Sequence, residues 1–143
     1  MIVKFKLLSD KAVAPFRGSE QAAGWDLTAV SQEWDRKTGT TCYGTGIAVE
    51  IPEGHVGLLF PRSSIYRKGQ MHTNAVGVID SDYRGEIFMR FSNRDDCPAE
   101  YREGERIGQL IIMPIPQVEW VACEELSETV RGAGGYGSTG GVA

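Results

Sequence analysis

The sequence predicts an all-β domain, built as a sandwich or barrel. Three observations carry this expectation. Apolar and polar residues alternate over short runs, as on half-buried strands. Glycine, proline, aspartate and asparagine punctuate those runs at close intervals. Only one segment has the flanking residues of a helix, and it spans about two turns.

The elements follow in order. Val3, Phe5 and Leu7 alternate with Lys4 and Lys6, which predicts a half-buried first strand. Residues 10–22 are polar, contain Pro15 and Gly18, and read as loop. Ala23 to Val30 reads as a strand with a carboxylate, Asp26, embedded in it. The polar stretch that follows, to Thr41, reads as a second loop. Ile47, Val49 and Ile51 alternate before the turn Pro52-Glu53-Gly54, and Val56 to Phe60 has the apolar run of a buried strand. Pro61 to Gly69 is the helix, with Ser63 as its cap and Gly69 as its stop. Val76, Val78 and Ile79 end one strand, and Ile87, Met89 and Phe91 alternate with Phe88 and Arg90 in the next. Ser81-Asp82 turns between them, so residues 71–92 are expected to form a hairpin with Asp80 and Tyr83 near its tip. A charged loop, Asn93 to Gly104, leads to strands at Arg106–Ile112 and Val118–Val121, separated by Pro114 and Pro116. From Glu124 the chain is polar, and Arg131 to Gly141 holds six glycines in eleven residues. No repeat or linker divides the 143 residues, which are expected to be one domain with one core.

Composition excludes several classes. A net charge of -4 argues against a general binder of nucleic-acid backbone, although a few arginines can still build a local anion site. The three cysteines, Cys42, Cys97 and Cys123, are scattered and odd in number, so a reduced cytoplasmic setting is expected rather than a disulfide framework. Two histidines, His55 and His72, without a Cys-x-x-Cys pair, argue against zinc, and both read as structural or surface residues. The first residues alternate and lack the apolar core of a secretory leader. No run approaches the ~18 apolar residues of a membrane span.

Three segments carry chemistry. Arg62-Ser63-Ser64, at a helix start after a strand, offers N–H groups, hydroxyls and a guanidinium to an anion; its plainer reading is a serine cap. The tail packs no core, and can be a disordered terminus. Yet glycine admits phosphate oxygens close to backbone amides, Arg131 adds charge, and Tyr136 suits stacking on a base. The segment Gly77 to Glu86 presents Asp80 and Tyr83. Asp26 and Arg106 are opposite charges within apolar strands, and lone buried charges are costly, so the two are expected to pair. Gln109 faces either a site or solvent. Carboxylate, anion-binding segments and aromatic ring together suit hydrolysis of a nucleoside phosphate, which needs a base for water, donors around the phosphates and usually Mg²⁺. An aspartate is ionised near neutral pH without special tuning, so Asp80 suits the role of base.

These segments resemble the five motifs of the trimeric dUTP pyrophosphatase (dUTPase) family, in order, from about Ala23 to Gly140. Ala23-Gly24-Trp25-Asp26-Leu27 resembles the first. Pro61-Arg62-Ser63-Ser64 with Lys68-Gly69 resembles the second, and Gly77 to Glu86 the third. Arg106 to Ile111 is similar to the fourth, and Arg131 to Gly140 to the fifth. The resemblance implies a jelly-roll-like barrel over residues 1–123 and an arm, 124–143, that closes a neighbouring subunit's site in a homotrimer. It implies hydrolysis of dUTP to dUMP and pyrophosphate by water attack on the α-phosphorus. That reaction keeps uracil out of DNA and supplies dUMP for thymidylate synthesis.

The same resemblance assigns roles. Asp80 would activate water. Tyr83 would pack under the deoxyribose and exclude a 2′-hydroxyl. Asn74, Phe88 and the main chain of Gly77, Val78 and Ile79 would read uracil, with Tyr136 stacked on it. Arg62, Ser63, Ser64 and Gln109 would hold phosphates, and Arg131, Gly137, Ser138 and Thr139 would close over the β- and γ-phosphates. Asp26 and Arg106 would support them. Mg²⁺ would be carried by the triphosphate and waters, without a direct protein ligand. No nucleic-acid or membrane partner is implied; a regulatory protein partner is a second, separate reading, to be sought at loops 31–40 and 93–104. The chain departs from the family pattern at Trp25, Gly108, Tyr136 and Ile65-Tyr66-Arg67. The related dCTP deaminases share the Arg-Ser-Ser segment, but need a glutamate where this chain has Arg90, and they lack the glycine-rich fifth motif.

Overall fold

The computed structural model describes residues 1–93, 100–135 and 138. Among them the fold is all-β, with two four-stranded sheets, a two-stranded ribbon and one 3₁₀ turn. The first sheet joins β2 (Trp25–Thr28), β10 (Arg106–Pro114), β6 (His55–Pro61) and β8 (Gly77–Ile79), in that spatial order. The second joins β3 (Ser31–Asp35), β4 (Thr40–Gly44), β9 (Phe88–Asn93) and β7 (Gln70–His72). In the ribbon, β1 (Lys4–Leu7) runs antiparallel to β5 (Ile47–Glu50).

The inward residues of all three sheets make one core. Leu27, Leu59, Ile107 and Leu110 come from the first sheet, Tyr43, Met89 and Phe91 from the second, and Ile47 and Val49 from the ribbon. Alternation produces this directly, because successive side chains on a strand point to opposite faces. Within the core lies a satisfied polar group. The Gln70 amide donates to Tyr43 Oη at 3.1 Å and to Asn93 Oδ1 at 3.0 Å, and its oxygen accepts the Tyr101 N–H at 3.0 Å. A buried amide with its partners fixes one arrangement. Here it pins the loop at Tyr101, just ahead of Arg106, against β7. Burial pushes the pKa of both Tyr43 and Tyr101 up, so each stays a neutral phenol.

Five sequence expectations are corrected. Residues 71–92 are not a hairpin: β8 pairs with β6 in the first sheet and β9 with β4 and β7 in the second. Residues 80–87 therefore cross from one sheet to the other. The polar stretch 31–41 is not a loop, because β3 and β4 pair there around a turn with Gly39 at φ +65° and the Asp35 carboxylate accepting the Lys37 N–H at 2.9 Å. The helix at 63–69 is a 3₁₀ turn, Ser63–Arg67; Arg62 occupies the cap position and no side chain caps it. No strand forms at 118–121; Trp120 there is 93% exposed. The first strand is exposed throughout, not half-buried, since β1 covers only the edge of β5.

Candidate active site

The predicted site residues fall into two groups, one just past Pro61 at one end of β6 and one centred on Asp80 at the other, with β8 running between them beside β6. The first is cationic. Asp26 on β2 accepts from Arg62 Nε at 3.2 Å through one carboxylate oxygen and from Arg106 Nη1 at 3.0 Å through the other. Its side chain is only 14% exposed, so the carboxylate is largely withdrawn from water and both guanidiniums offset that cost. The register explains the meeting: β2 and β6 flank β10, and Gln109 pairs with both Asp26 and Phe60. Gln109 Nε2 donates to the Pro61 carbonyl at 3.3 Å. A Cβ on Gly24 would stand 2.5 Å from Gln109 Oε1, so glycine is what lets Gln109 lie across β2. Ser63 and Ser64 open the 3₁₀ turn directly after Arg62, where backbone N–H groups lack intrahelical carbonyls.

The second group runs from the turn before β8, along β8 and the crossover, to the start of β9. Asp80 is exposed, just past the end of β8, in a recess shared with Glu50, Glu53, His55, Asp82 and Arg84. Tyr83 donates its N–H to the Asp80 carbonyl at 3.1 Å and its hydroxyl to the Glu86 carbonyl at 2.9 Å, which lays the ring across Gly85. Glu86 accepts the Gly46 N–H at 2.7 Å and so fastens the crossover to the turn before β5. Gly77, Val78 and Ile79 form β8, which among the described residues pairs on one side only, with β6, and leaves its other backbone edge open. Asn74 is exposed in a tight turn, with Val76 N–H on its carbonyl at 2.5 Å and Ala75 in the left-handed region at φ +55°. Such strain in a non-glycine residue is retained only where the surroundings impose it. Phe88, half exposed, begins β9 beside Gly44.

One chain does not bring the groups together. Ile79 pairs with Gly57, and Arg62 follows Pro61, so about six residues of strand separate the Asp80 end from the Arg62 end, roughly 20 Å at ~3.3 Å per residue. Arg131 and Ser138 are exposed on the arm. Tyr136, Gly137 and Thr139 lie outside the described residues. Among the described residues, no three His, Cys, Asp or Glu side chains are grouped to hold a metal ion, and no helix is long and apolar enough to cross a membrane.

Sequence reasoning missed several supports. Phe16 exchanges two backbone hydrogen bonds with Asp26, at 3.0 and 2.7 Å, and its ring lies 5.2 Å from the Arg106 guanidinium. An aromatic residue in an otherwise polar loop was the available signal. Glu86 carried none, because its contact with Gly46 joins segments far apart in the chain.

A family model described as dUTPase matches residues 10–140. The chain belongs to the dUTPase family. The deoxyuridine 5'-triphosphate nucleotidohydrolase of Nautilia profundicola is 40% identical over 141 residues, covering 98% of this chain and 99% of that one. Among solved structures, a Staphylococcus bacteriophage 80alpha dUTPase with a Gly-to-Ser substitution, bound to dUpNHpp, matches with a TM-score of 0.81 at 29% identity, covering 97% and 98%. A dUTPase from phage phi11 of S. aureus, described with a structural Mg(II) ion, matches with a TM-score of 0.71 at 26% identity, covering 87% and 98%.

Two departures of this dUTPase from the family pattern acquire a physical reason. Gly108 stands against the Met89 thioether, which fills the space a Cβ would need, and the Phe60 carbonyl lies 3.0 Å from that position. Trp25 is partly exposed with the Arg17 guanidinium 5.8 Å from its ring. Tyr66 and Arg67 form a pair of their own, Arg67 Nε donating to the Tyr66 hydroxyl at 2.8 Å, and point into solvent.

Proposed function

We propose that the chain hydrolyses dUTP to dUMP and pyrophosphate, as a homotrimer whose sites each combine the two ends of β6 from different copies. The observation that carries this is the division itself. The cluster suited to phosphates and Asp80, the residue suited to activating a water, stand roughly 20 Å apart along β6 in one chain. Joining copies is the direct way to unite them, and the name of the Nautilia relative supports the substrate.

In this reading Arg62, Ser63, Ser64 and Gln109 hold the triphosphate, with Asp26 and Arg106 keeping Arg62 aimed. Uracil lies along the open edge of β8, where backbone groups, Asn74 and Phe88 read it. Asp80 takes a proton from water as the water oxygen bonds to the α-phosphorus. The bond from that phosphorus to the bridging oxygen breaks, and pyrophosphate leaves. Residues 1–123 form the catalytic domain and 124–143 the arm, whose Arg131, Tyr136, Gly137, Ser138 and Thr139 close over the substrate of another copy. No side chain of the described residues is grouped to hold Mg²⁺ directly, so the ion would enter with the triphosphate and would supply neutralisation of phosphate charge. The scattered cysteines support a cytoplasmic setting.

Pyrophosphate release from dUTP, UTP, dTTP and dCTP, with and without Mg²⁺, tests the reading. Magnesium-dependent release from dUTP alone is the expected result; release from none of them overturns it. Tyr83 supplies a second test. Its hydroxyl bond to the Glu86 carbonyl holds the ring in place across Gly85, and in this reading the deoxyribose packs on that ring. Tyr83→Ala should lower the preference for dUTP over UTP by about tenfold or more, read as the ratio of kcat/KM values. An unchanged ratio would assign sugar selection to another group.

A further inference from the structure

Lys68 lies at the far end of the 3₁₀ turn from Arg62. Its ammonium reaches both oxygens of Glu105, at 2.8 and 2.9 Å, and the Glu100 carbonyl at 3.3 Å. It also stands 4.9 Å from the centre of the buried Tyr101 ring. Glu105 in turn accepts the Arg102 N–H at 2.7 Å. Burial pushes the Glu105 pKa up, but the bonds from Lys68 and the Arg102 N–H outweigh it and hold it below the usual value. Glu105 immediately precedes Arg106, which Asp26 ties back to Arg62.

The contacts therefore close a ring. Asp26 joins Arg62 to Arg106, the 3₁₀ turn joins Arg62 to Lys68, and Lys68 joins Glu105 beside Arg106. A 3₁₀ turn of five residues, with no side-chain cap, has little stability of its own. Its orientation depends on what grips its two ends. We propose that Lys68 and Glu105 are positioning residues: their pair fixes the end of the turn remote from Asp26, and so holds Arg62 and the two serines in the geometry that binds phosphates. The proposal rests on the phosphate role given to Arg62.

Glu105→Gln separates this from simple charge. It removes a negative charge near the cationic group, so long-range electrostatics alone would tighten anion binding. Positioning requires the reverse. The test uses the full chain and two probes, inorganic tripolyphosphate and deoxyuridine, with affinities from calorimetry and NMR titration. Tripolyphosphate affinity should fall about tenfold in Glu105→Gln and in Lys68→Met and stay within about twofold of the parent in Lys68→Arg, with deoxyuridine affinity unchanged throughout. Circular dichroism establishes that each variant is folded; Glu105→Gln keeps the shape of the side chain and serves if Lys68→Met does not fold. Tripolyphosphate affinity that rises or stays level in Glu105→Gln overturns the proposal, as does an equal loss for deoxyuridine. If the parent binds tripolyphosphate as described yet leaves dUTP intact, the catalytic reading fails and the positioning role stands.

Discussion

Asp80→Asn lowers the turnover number for dUTP by about 10²–10⁴-fold, while the affinity for dUpNHpp stays within a few-fold. The substitution keeps the size and shape of the side chain and removes the group that accepts a proton. Asp80 is exposed, and among the described residues no hydrogen bond holds its carboxylate, so the fold has nothing to lose by the change. The crossover is shaped by backbone and by other side chains. Tyr83 donates to the Asp80 carbonyl and to the Glu86 carbonyl, and Glu86 binds Gly46. Uracil and sugar contacts should therefore survive. Single-turnover quench measurements at saturating dUTP isolate the chemical step from binding. Turnover retained within tenfold would move the base elsewhere, and Asp82, in the same recess, would be the next carboxylate to replace.

Removing residues 131–143 produces a folded protein with turnover reduced by roughly 10²–10³-fold or more, the scale on which lost charge-stabilising donors act. Folding survives because residues 115–135 are exposed and contribute nothing to the core, whose members end with Leu110 and the partly buried Ile112. The bonds recorded near the cut are local, such as the Gly132 N–H to the Thr129 carbonyl at 3.0 Å and the Gly134 N–H to the Arg131 carbonyl at 3.0 Å. A thermal midpoint within a degree or two of the parent, at equal chain concentration, is expected beside the loss of turnover. A truncated chain that unfolds would make the tail structural, and full activity would remove it from the site.

Much of the fold was legible because strand alternation is local. β5, β6, β9 and β10 lie where apolar residues recur at every second position or run together. The failures occur where partner choice, not pattern, decides. Residues 76–79 and 87–91 read as hairpin arms, yet the flanks of a crossover alternate just as those of a hairpin do. Only the pairing of β8 with β6 and of β9 with β4 separates the two. β3 lies at the edge of its sheet, with Ser31, Gln32, Glu33 and Trp34 all exposed, so no buried face marks it in the sequence. Val118 to Val121 fails in the opposite sense: its apolar residues have strand character, but among the described residues no strand receives them.

The candidate site divides in the same way. That Asp26 needs a cationic partner follows from the cost of a lone carboxylate in an apolar strand, and Arg106 lies within hydrogen-bonding distance of it. That Arg62 shares the same carboxylate does not follow, because 36 residues separate them and only the sheet order β2-β10-β6 places them side by side. The resemblance to a family supplied roles for residues, while the distance between the two groups is visible only in the folded chain.

If copies of the chain assemble as proposed, the placing of Asp80 and Arg62 at opposite ends of β6 has a genetic consequence. A defect at the Asp80 end and a defect at the Arg62 end would lie in different copies of each composite site. Two alleles, one carrying each lesion and neither able to support turnover alone, would then yield mixed assemblies in which some sites draw both intact ends. Such alleles would complement one another, and a single defective allele would reduce activity by less than the share of faulty chains would poison in a site that required every copy to be intact.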